Sequence, residues 1–480
     1  MSVSASRSLV ANGLSMLAAR LLVPAFSFAI NVGVARLLGP DVLGSYVHLL
    51  ALAAIFQVAA GAGMANLLTR EIASHPEQTG SYLRRARSLA ALTGVAATIA
   101  FGVAAWLAAP EHGLAAAILA TTVLPSSWIA VQESFFMATR THHRVALVAA
   151  FESGLKLALA WVAFKTGGGL TFLCVGVAVS RLLALAVGSV LVSRAGASRA
   201  WRPAGWEEIR TFAAGVIPFA VLLILSTIYF KLDVLLVEAL LGAGLTGIYG
   251  AALAFYSVAL LVPESVMAAV YPRLSAQHRA SPDGFAEATL TAMRVVTAGL
   301  VPAALGLICL SNVLLRVAYG GRYAAAAPVL RLLAASLPLH AANGALGQAL
   351  LAGRLQGRMV VVVLSGLLSH ALLCLLLLPR FGLIGAPVSL FLSSAIVTIG
   401  TTLVFHRQVA PLAPSARALV AVAAGAASIA ATLAAPGAWS FLTAAVGLGV
   451  TTLVARKVLL SPSEWERLRQ GMRGAGRRAA

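Results

Sequence analysis

Five basic residues of this 480-residue chain, Arg20, Lys156, Arg181, Lys231 and Arg331, lie inside long apolar runs, as do the acids Glu133, Glu152, Asp233 and Glu264. Runs of that kind read as membrane spans. A charge at mid-bilayer costs on the order of 2.5–3.5 kcal/mol on insertion scales. Facing lipid, these bases would together cost roughly 15 kcal/mol, comparable to the stability of a whole fold. They must therefore meet protein, water or an anion.

Their spacing sorts them. Glu152 and Lys156 stand four apart, the favourable orientation for an ion pair along one helix. Lys231 and Asp233 stand two apart and point to different faces, so each needs its own partner. Arg331 lies near the start of its run, about 10 Å along the helix, where a long side chain can snorkel outward. Arg20 and Arg181 have no acid within a turn. Arg20, Pro24, Ser27 and Asn31 follow helical spacing and form one polar strip. Pro24 also frees a backbone carbonyl there, which is tolerated where it faces a cavity. Ser336, His340, Asn343 and Gly347 form a similar strip. Such strips either form a hydrogen-bonded seam between helices or line a cavity. An unpaired arginine in a cavity suits a dense anion such as a diphosphate, whose oxygens match the guanidinium fork.

The elements that position these residues follow from composition. The chain is 60% hydrophobic and 10% charged, with mean hydropathy +0.93, against about 45–50% and about 25% in soluble domains. That argues against a soluble enzyme, a nucleic-acid binder or a disordered chain. A span needs about 20 apolar residues as a helix. Fourteen runs qualify, at 12–35, 43–64, 88–109, 113–138, 145–165, 169–192, 212–237, 246–270, 295–317, 324–351, 358–378, 383–405, 416–435 and 437–456. Pro24, Pro125, Pro218, Pro263, Pro302, Pro338 and Pro387 fall within them and mark bends. Arg7 followed by an apolar run mimics a signal peptide, but Arg20 interrupts the run and no soluble domain follows, so no cleavage is expected.

Orientation follows from loop charge. With the N-terminus inside, 25 of the 35 Lys and Arg fall in cytoplasmic segments, 5 outside and 5 within spans. This places both termini in the cytoplasm, and it accounts for the net charge of +20 without nucleic acid. The longest inside segments, about 65–87, 193–211, 271–294 and the tail from 457, are too short for an independent core. Cys174, Cys309 and Cys374 sit in apolar runs without metal-ligand spacing and read as packing residues. No Walker-type phosphate loop occurs, so neither metal nor cofactor is expected.

The chain repeats itself. Leu37-Leu38-Gly39 is followed by Gly44 and Tyr46, and Leu240-Leu241-Gly242 by Gly247 and Tyr249, at an offset of 203. The same offset takes Arg70 to Arg273. The glycines fit a tight outside turn. The expected fold is all-α: fourteen spans, with two pseudo-symmetric six-helix lobes around a central cavity and two further C-terminal helices. The lobes are 1–193 and 211–407, joined by a basic linker 194–210 and followed by 408–456 and a basic tail 457–480. Paired lobes of this kind are a transporter architecture.

The stretch Ala35–Ser74 resembles the opening helix pair of bacterial polysaccharide and oligosaccharide flippases, members of the multidrug/oligosaccharidyl-lipid/polysaccharide exporter superfamily. Lys231–Ser275 is similar to that family's seventh and eighth helices, with Lys231-x-Asp233, Gly247-x-Tyr249 and Pro272 to Ser275 in order. Tyr319–Leu330 and Pro379–Ala386 resemble later signatures, and the likeness runs over most of 10–407. The resemblance implies turnover of an undecaprenyl-diphosphate-linked glycan to the outer leaflet of the bacterial inner membrane by alternating access, beside polysaccharide assembly proteins. Competing readings are a cation-coupled drug exporter or a peptidoglycan-precursor exporter of the same superfamily, and a membrane sugar polymerase or ligase. The polymerase would need a sizeable outward loop, which is absent here, and the drug site would want acids and aromatics. No catalytic set is visible. The candidate binding residues are Arg20, Ser27, Asn31, Arg181, Lys231, Asp233, Arg331, His340 and Asn343.

Overall fold

A computed structural model describes residues 22–61, 63–195, 202–280, 282–353, 355–409, 416–435 and 439–454. Its regular structure is helical throughout, with no strand among the described residues. Helix α1 is Leu22–Leu37. It is followed by α2 Pro40–Gly61, α3 Met64–Ser74, α4 Thr79–Ala108, α5 Gly113–Ala120, α6 Val123–Ala138, α7 His142–Thr166 and α8 Gly169–Arg194. Then come α9 Trp206–Leu241, α10 Ala243–Ala280, α11 Pro282–Tyr319 and α12 Ala326–Ala352. The series closes with α13 Gln356–Phe381, α14 Gly385–Gln408, α15 Ala416–Ala434 and α16 Trp439–Val454. Every apolar run of the sequence corresponds to a helix, although the first run begins outside the described residues. Large apolar side chains such as Trp106, Ile99, Trp161, Leu368 and Val446 stand exposed on these helices. In water that pattern would drive aggregation, whereas against lipid it is the expected outer surface. The chain is a multi-pass membrane protein.

Three expectations change. The run 113–138 is long and apolar enough to be one span, as expected, but it is built from two helices, α5 and α6, rather than one. Pro125 has no N–H to donate and its ring crowds the carbonyl four residues back, at Thr121. The chain breaks there, and the hydroxyls of Thr121 and Thr122 bond the carbonyls of Ile118 and Leu119, each at 2.6 Å. The segment 65–87 is largely helical and packed. Leu67, Leu68, Ile72 and Leu83 join Phe135, Phe136, Ile209 and Phe212 in one buried cluster. Likewise α10 runs to Ala280, α11 starts at Pro282, and α9 starts at Trp206. Hydropathy marks only the apolar part of a helix, whereas backbone bonding carries the helix on into water. At 1.5 Å per residue, the 36 residues of α9 span about 54 Å, well beyond a 30 Å hydrocarbon core.

The chain forms two compact units, Met1–Ala251 and Ala252–Ala480. In the first, α9 is anchored in its first turn by Glu208, whose carboxylate lies 2.6 Å from Arg84 and 3.7 Å from Arg85 of α4. Gly63, with φ 74°, brings α3 against α9: a Cβ there would lie 2.8 Å from the amide nitrogen of Ala220. In the second unit, α11, α12 and α14 pack around a core that includes Leu305, Leu330, Leu333, Leu337 and Phe405.

Candidate functional site

The first unit buries a charge cluster between α7 and α8. Lys156 Nζ lies 3.3 Å from Glu152 Oε1, the pair expected from the four-residue spacing. Arg181 approaches the same carboxylate from α8, Nε at 3.4 Å from Oε1, with one terminal nitrogen donating to Oε2 at 3.4 Å. The local acid missing from Arg181's own helix is thus supplied by its neighbour. Glu133 of α6 stands within electrostatic reach of both Arg181 and Glu152, and its side chain is accessible. Two acids and two bases balance, which is how such charges are tolerated at membrane depth. Arg181 Nε is buried and aligned too poorly on Glu152 to donate a hydrogen bond.

The remaining candidates of this unit are placed as follows. Arg20 lies outside the described residues. Ser27 is exposed on α1 and donates to the Val23 carbonyl at 3.1 Å. Asn31 is half-buried one turn further on. Lys231 is half-buried on α9. Asp233 is buried, 2% exposed, and accepts from the Tyr249 hydroxyl and from the Val234 amide at 2.8 Å. The two faces of the Lys231-x-Asp233 pair thus have different surroundings, and the tyrosine of the repeat motif is the partner of Asp233.

At the N-terminal ends of α2 and α10 the repeat acquires a spatial meaning. Gly39 and Gly242 both take left-handed φ, 92° and 85°, and turn the chain tightly as their spacing implied. Helices α2 and α10 then meet backbone to backbone. A Cβ on Gly44 would lie 2.9 Å from the Gly247 amide nitrogen, and one on Gly247 would lie 3.1 Å from the Gly44 nitrogen. Val47 and Gly250, and Asp41 and Gly244, also face each other, so each pair joins positions 203 apart.

The second unit assembles a buried polar network. Tyr256 of α10 places its hydroxyl 3.1 Å from Ser336 Oγ and 2.9 Å from His340 Nδ1, both on α12. Asn343, on the same strip, donates to the Ser394 carbonyl at 3.2 Å and receives Thr401 Oγ1 at 3.5 Å. His370 of α13, fully buried, sits 3.1 Å from Ser393 Oγ of α14. Arg331 donates through Nε to Ser311 Oγ at 3.0 Å, so its head group is held by α11. Sequence reasoning missed His370 and Tyr256. The available signal was a histidine inside an apolar run, which only a partner on another helix makes tolerable. Among the described residues no group of three His, Cys, Asp or Glu side chains is placed to hold a metal ion.

The sequence model of a family described as "Polysaccharide biosynthesis protein" matches residues 34–328, more than half of the chain. The chain belongs to that family. No curated protein matches it significantly. Among solved structures, the lipid II flippase MurJ in an inward closed conformation superposes with a TM-score of 0.71 at 15% identity, covering 93% of this chain and 98% of that one. An inward-facing multidrug resistance MATE family transporter of the MOP superfamily gives 0.64 at 12% identity, covering 82% and 97%. A MOP superfamily transporter from Pyrococcus furiosus, described as having a binding pocket of reverse polarity, gives 0.63 at 13% identity, covering 84% and 95%. This family member therefore has the MurJ and MATE fold. Those neighbours are described as a flippase and transporters.

Proposed function

We propose that this protein is a flippase that turns a polyprenyl-diphosphate-linked oligosaccharide from the cytoplasmic to the outer leaflet of the bacterial inner membrane, by alternating access, with both termini in the cytoplasm. The observation that carries this reading is the polysaccharide biosynthesis family match over residues 34–328. The basic side chains inside the spans support it, because a diphosphate needs cationic partners away from water. The seam between Gly44 and Gly247 suits a protein that closes one face of the membrane at a time. The lobes of this reading are the two six-helix repeats, 1–193 and 211–407. Arg20, Ser27 and Asn31 on the first helix, Arg181, Lys231 and Asp233, and Arg331, His340 and Asn343 are the proposed contacts.

The test is a gene deletion followed by leaflet-resolved analysis of lipid-linked sugars. Loss of surface glycan, with lipid-linked oligosaccharide accumulating in the inner leaflet, is the expected result. Unchanged surface glycan would overturn the reading. In the restored strain, Arg20→Ala abolishes export at normal protein abundance, and Arg20→Lys recovers part of it because the charge survives without the planar fork. Normal export in Arg20→Ala would remove Arg20 from the site. A second reading, transport of a peptidoglycan precursor, is favoured by the likeness to MurJ. Rescue of cells depleted of their own precursor flippase would select it.

A further inference from the structure

We infer that the corner where the α6–α7 turn meets the C-terminal end of α8 is a binding site for an acidic phospholipid, with Arg140, Arg144 and Arg194 at its phosphate and the exposed faces of α7 and α8 along its acyl chains. The inference needs only a membrane protein. It holds whatever substrate is moved, and its failure leaves the flippase reading standing.

The corner gathers cations. Arg140 stands exposed in the turn between α6 and α7, with a left-handed φ of 57°. Arg144, in the first turn of α7, donates through a terminal nitrogen to the Leu191 carbonyl of α8 at 3.2 Å, and its guanidinium lies 5.9 Å from the centre of the Phe136 ring. That bond ties the turn to the last turn of α8, which carries the exposed Arg194. No Asp or Glu occurs between Glu133 and Glu152, or between Glu152 and Glu207, so neither segment supplies an acid to offset these charges. Phe136 and Val192 of the corner share a buried cluster with Ile72 of α3, Leu83 of α4 and Ile209 of α9. On those elements Glu71 is held by Arg70 at 2.8 Å and Glu208 by Arg84 at 2.6 Å.

The charge calls for an anion, and the surface beside it selects the kind. Along α7 the exposed His143 is followed at four-residue steps by Leu147 and Phe151, both exposed. Along α8, Arg194 is preceded at the same steps by Val190, Ala186 and Leu182, all exposed. Residues four apart share one helix face, and α7 and α8 pack against each other. The corner thus places cations at the head of two apolar stripes. A soluble polyanion would use the cations and leave the stripes bare. A lipid uses both, its phosphate on the guanidinium forks and its chains along the stripes. A zwitterionic head group would bring an ammonium towards an excess of positive charge, so the head group is acidic. In the orientation proposed above, the lipid belongs to the inner leaflet.

The test uses the full-length protein in detergent, titrated with phosphatidylglycerol or with phosphatidylcholine of the same acyl chains, and bound lipid is counted by native mass spectrometry. Wild type binds phosphatidylglycerol the more tightly. One arginine near a bilayer surface changes affinity for acidic lipid about fivefold. Arg140→Gly and Arg194→Gln therefore each weaken phosphatidylglycerol binding about fivefold and leave phosphatidylcholine binding unchanged. Glycine adopts the left-handed φ of position 140 without strain, so Arg140→Gly keeps the turn. A thermal midpoint without added lipid at or above that of wild type shows that folding is not the cause of its loss; should the midpoint fall, Arg194→Gln decides alone. Arg144 is retained throughout, because its bond to Leu191 also holds the corner together. Lys165→Gln, at the opposite end of α7, is the control and changes neither affinity. Equal affinity for the two lipids in wild type, or full phosphatidylglycerol binding in the double variant Arg140→Gly, Arg194→Gln, overturns the proposal. So does displacement of the bound lipid by an equimolar amount of inorganic diphosphate, which would make the corner a site for soluble anions.

Discussion

Gly44 of α2 and Gly247 of α10 face each other reciprocally: a Cβ on either would fall 2.9 or 3.1 Å from the backbone nitrogen of the other. The two positions are 203 residues apart, the offset of the sequence repeat. When residue i touches residue i + 203 and the contact is mutual, a local two-fold axis passes between the helices. Glycine is required at this crossing because the opposing atoms are backbone and cannot rotate away.

Alanine at either glycine should open this seam. The new methyl collides with main-chain atoms, and overpacking of that kind costs about 1–3 kcal/mol. That cost shifts the closed-to-open ratio by roughly 5- to 150-fold. Reaction of a single cysteine at His48, now 3% exposed one turn below Gly44, with a membrane-impermeant maleimide should rise accordingly. An unchanged labelling rate in Gly44→Ala and Gly247→Ala would show that the seam does not open.

A disulfide should lock the seam. A Cβ on Gly250 would lie 3.6 Å from Val47 Cβ, inside the range a disulfide needs. The double variant Val47→Cys, Gly250→Cys should cross-link on mild oxidation, stop glycan export and recover with reductant. Full export through a verified cross-link would argue against alternating access at this face.

Glu152 holds Lys156 and Arg181 together. Removing one partner of a buried ion network leaves charge uncompensated and costs about 3–5 kcal/mol. Glu152→Gln should lower the thermal midpoint of the detergent-solubilised protein and its abundance in membranes. Glu152→Gln combined with Lys156→Met should recover part of the loss, because one orphaned charge disappears with the other. Stability equal to wild type in the single variant would show that the cluster is hydrated.

Orientation is checked at the C-terminal ends of α7 and α8. Cysteines at Thr166 and Ala195, both exposed, should label from the outside and from the cytoplasm respectively. The opposite pattern at both would reverse the topology derived from the basic residues.

The helices were legible because hydropathy and length report directly on the bilayer: an apolar run long enough to cross must satisfy its backbone internally. The tight turns at Gly39 and Gly242 were legible for a local reason, since only glycine adopts those φ angles without strain. The pairing of Glu152 with Lys156 was also local, a matter of helical pitch. Where a helix outruns its apolar run, as at both ends of α9, the apolar signal stops before the helix does.

What the sequence by itself determined, then, is whatever one helix can settle alone: the apolar segments, their turns, the repeat offset and the list of charges that need company. Only the tertiary structure decided who keeps that company. Arg181 has no acid on its own helix and finds Glu152 on the next. Asp233 is met by Tyr249, and His340 by Tyr256, 84 residues away. The repeat could be counted in the sequence, but the contact of Gly44 with Gly247 could not. A side chain's partner across an interface depends on crossing angle and rotation of whole helices, and those are fixed by the packing of many residues at once.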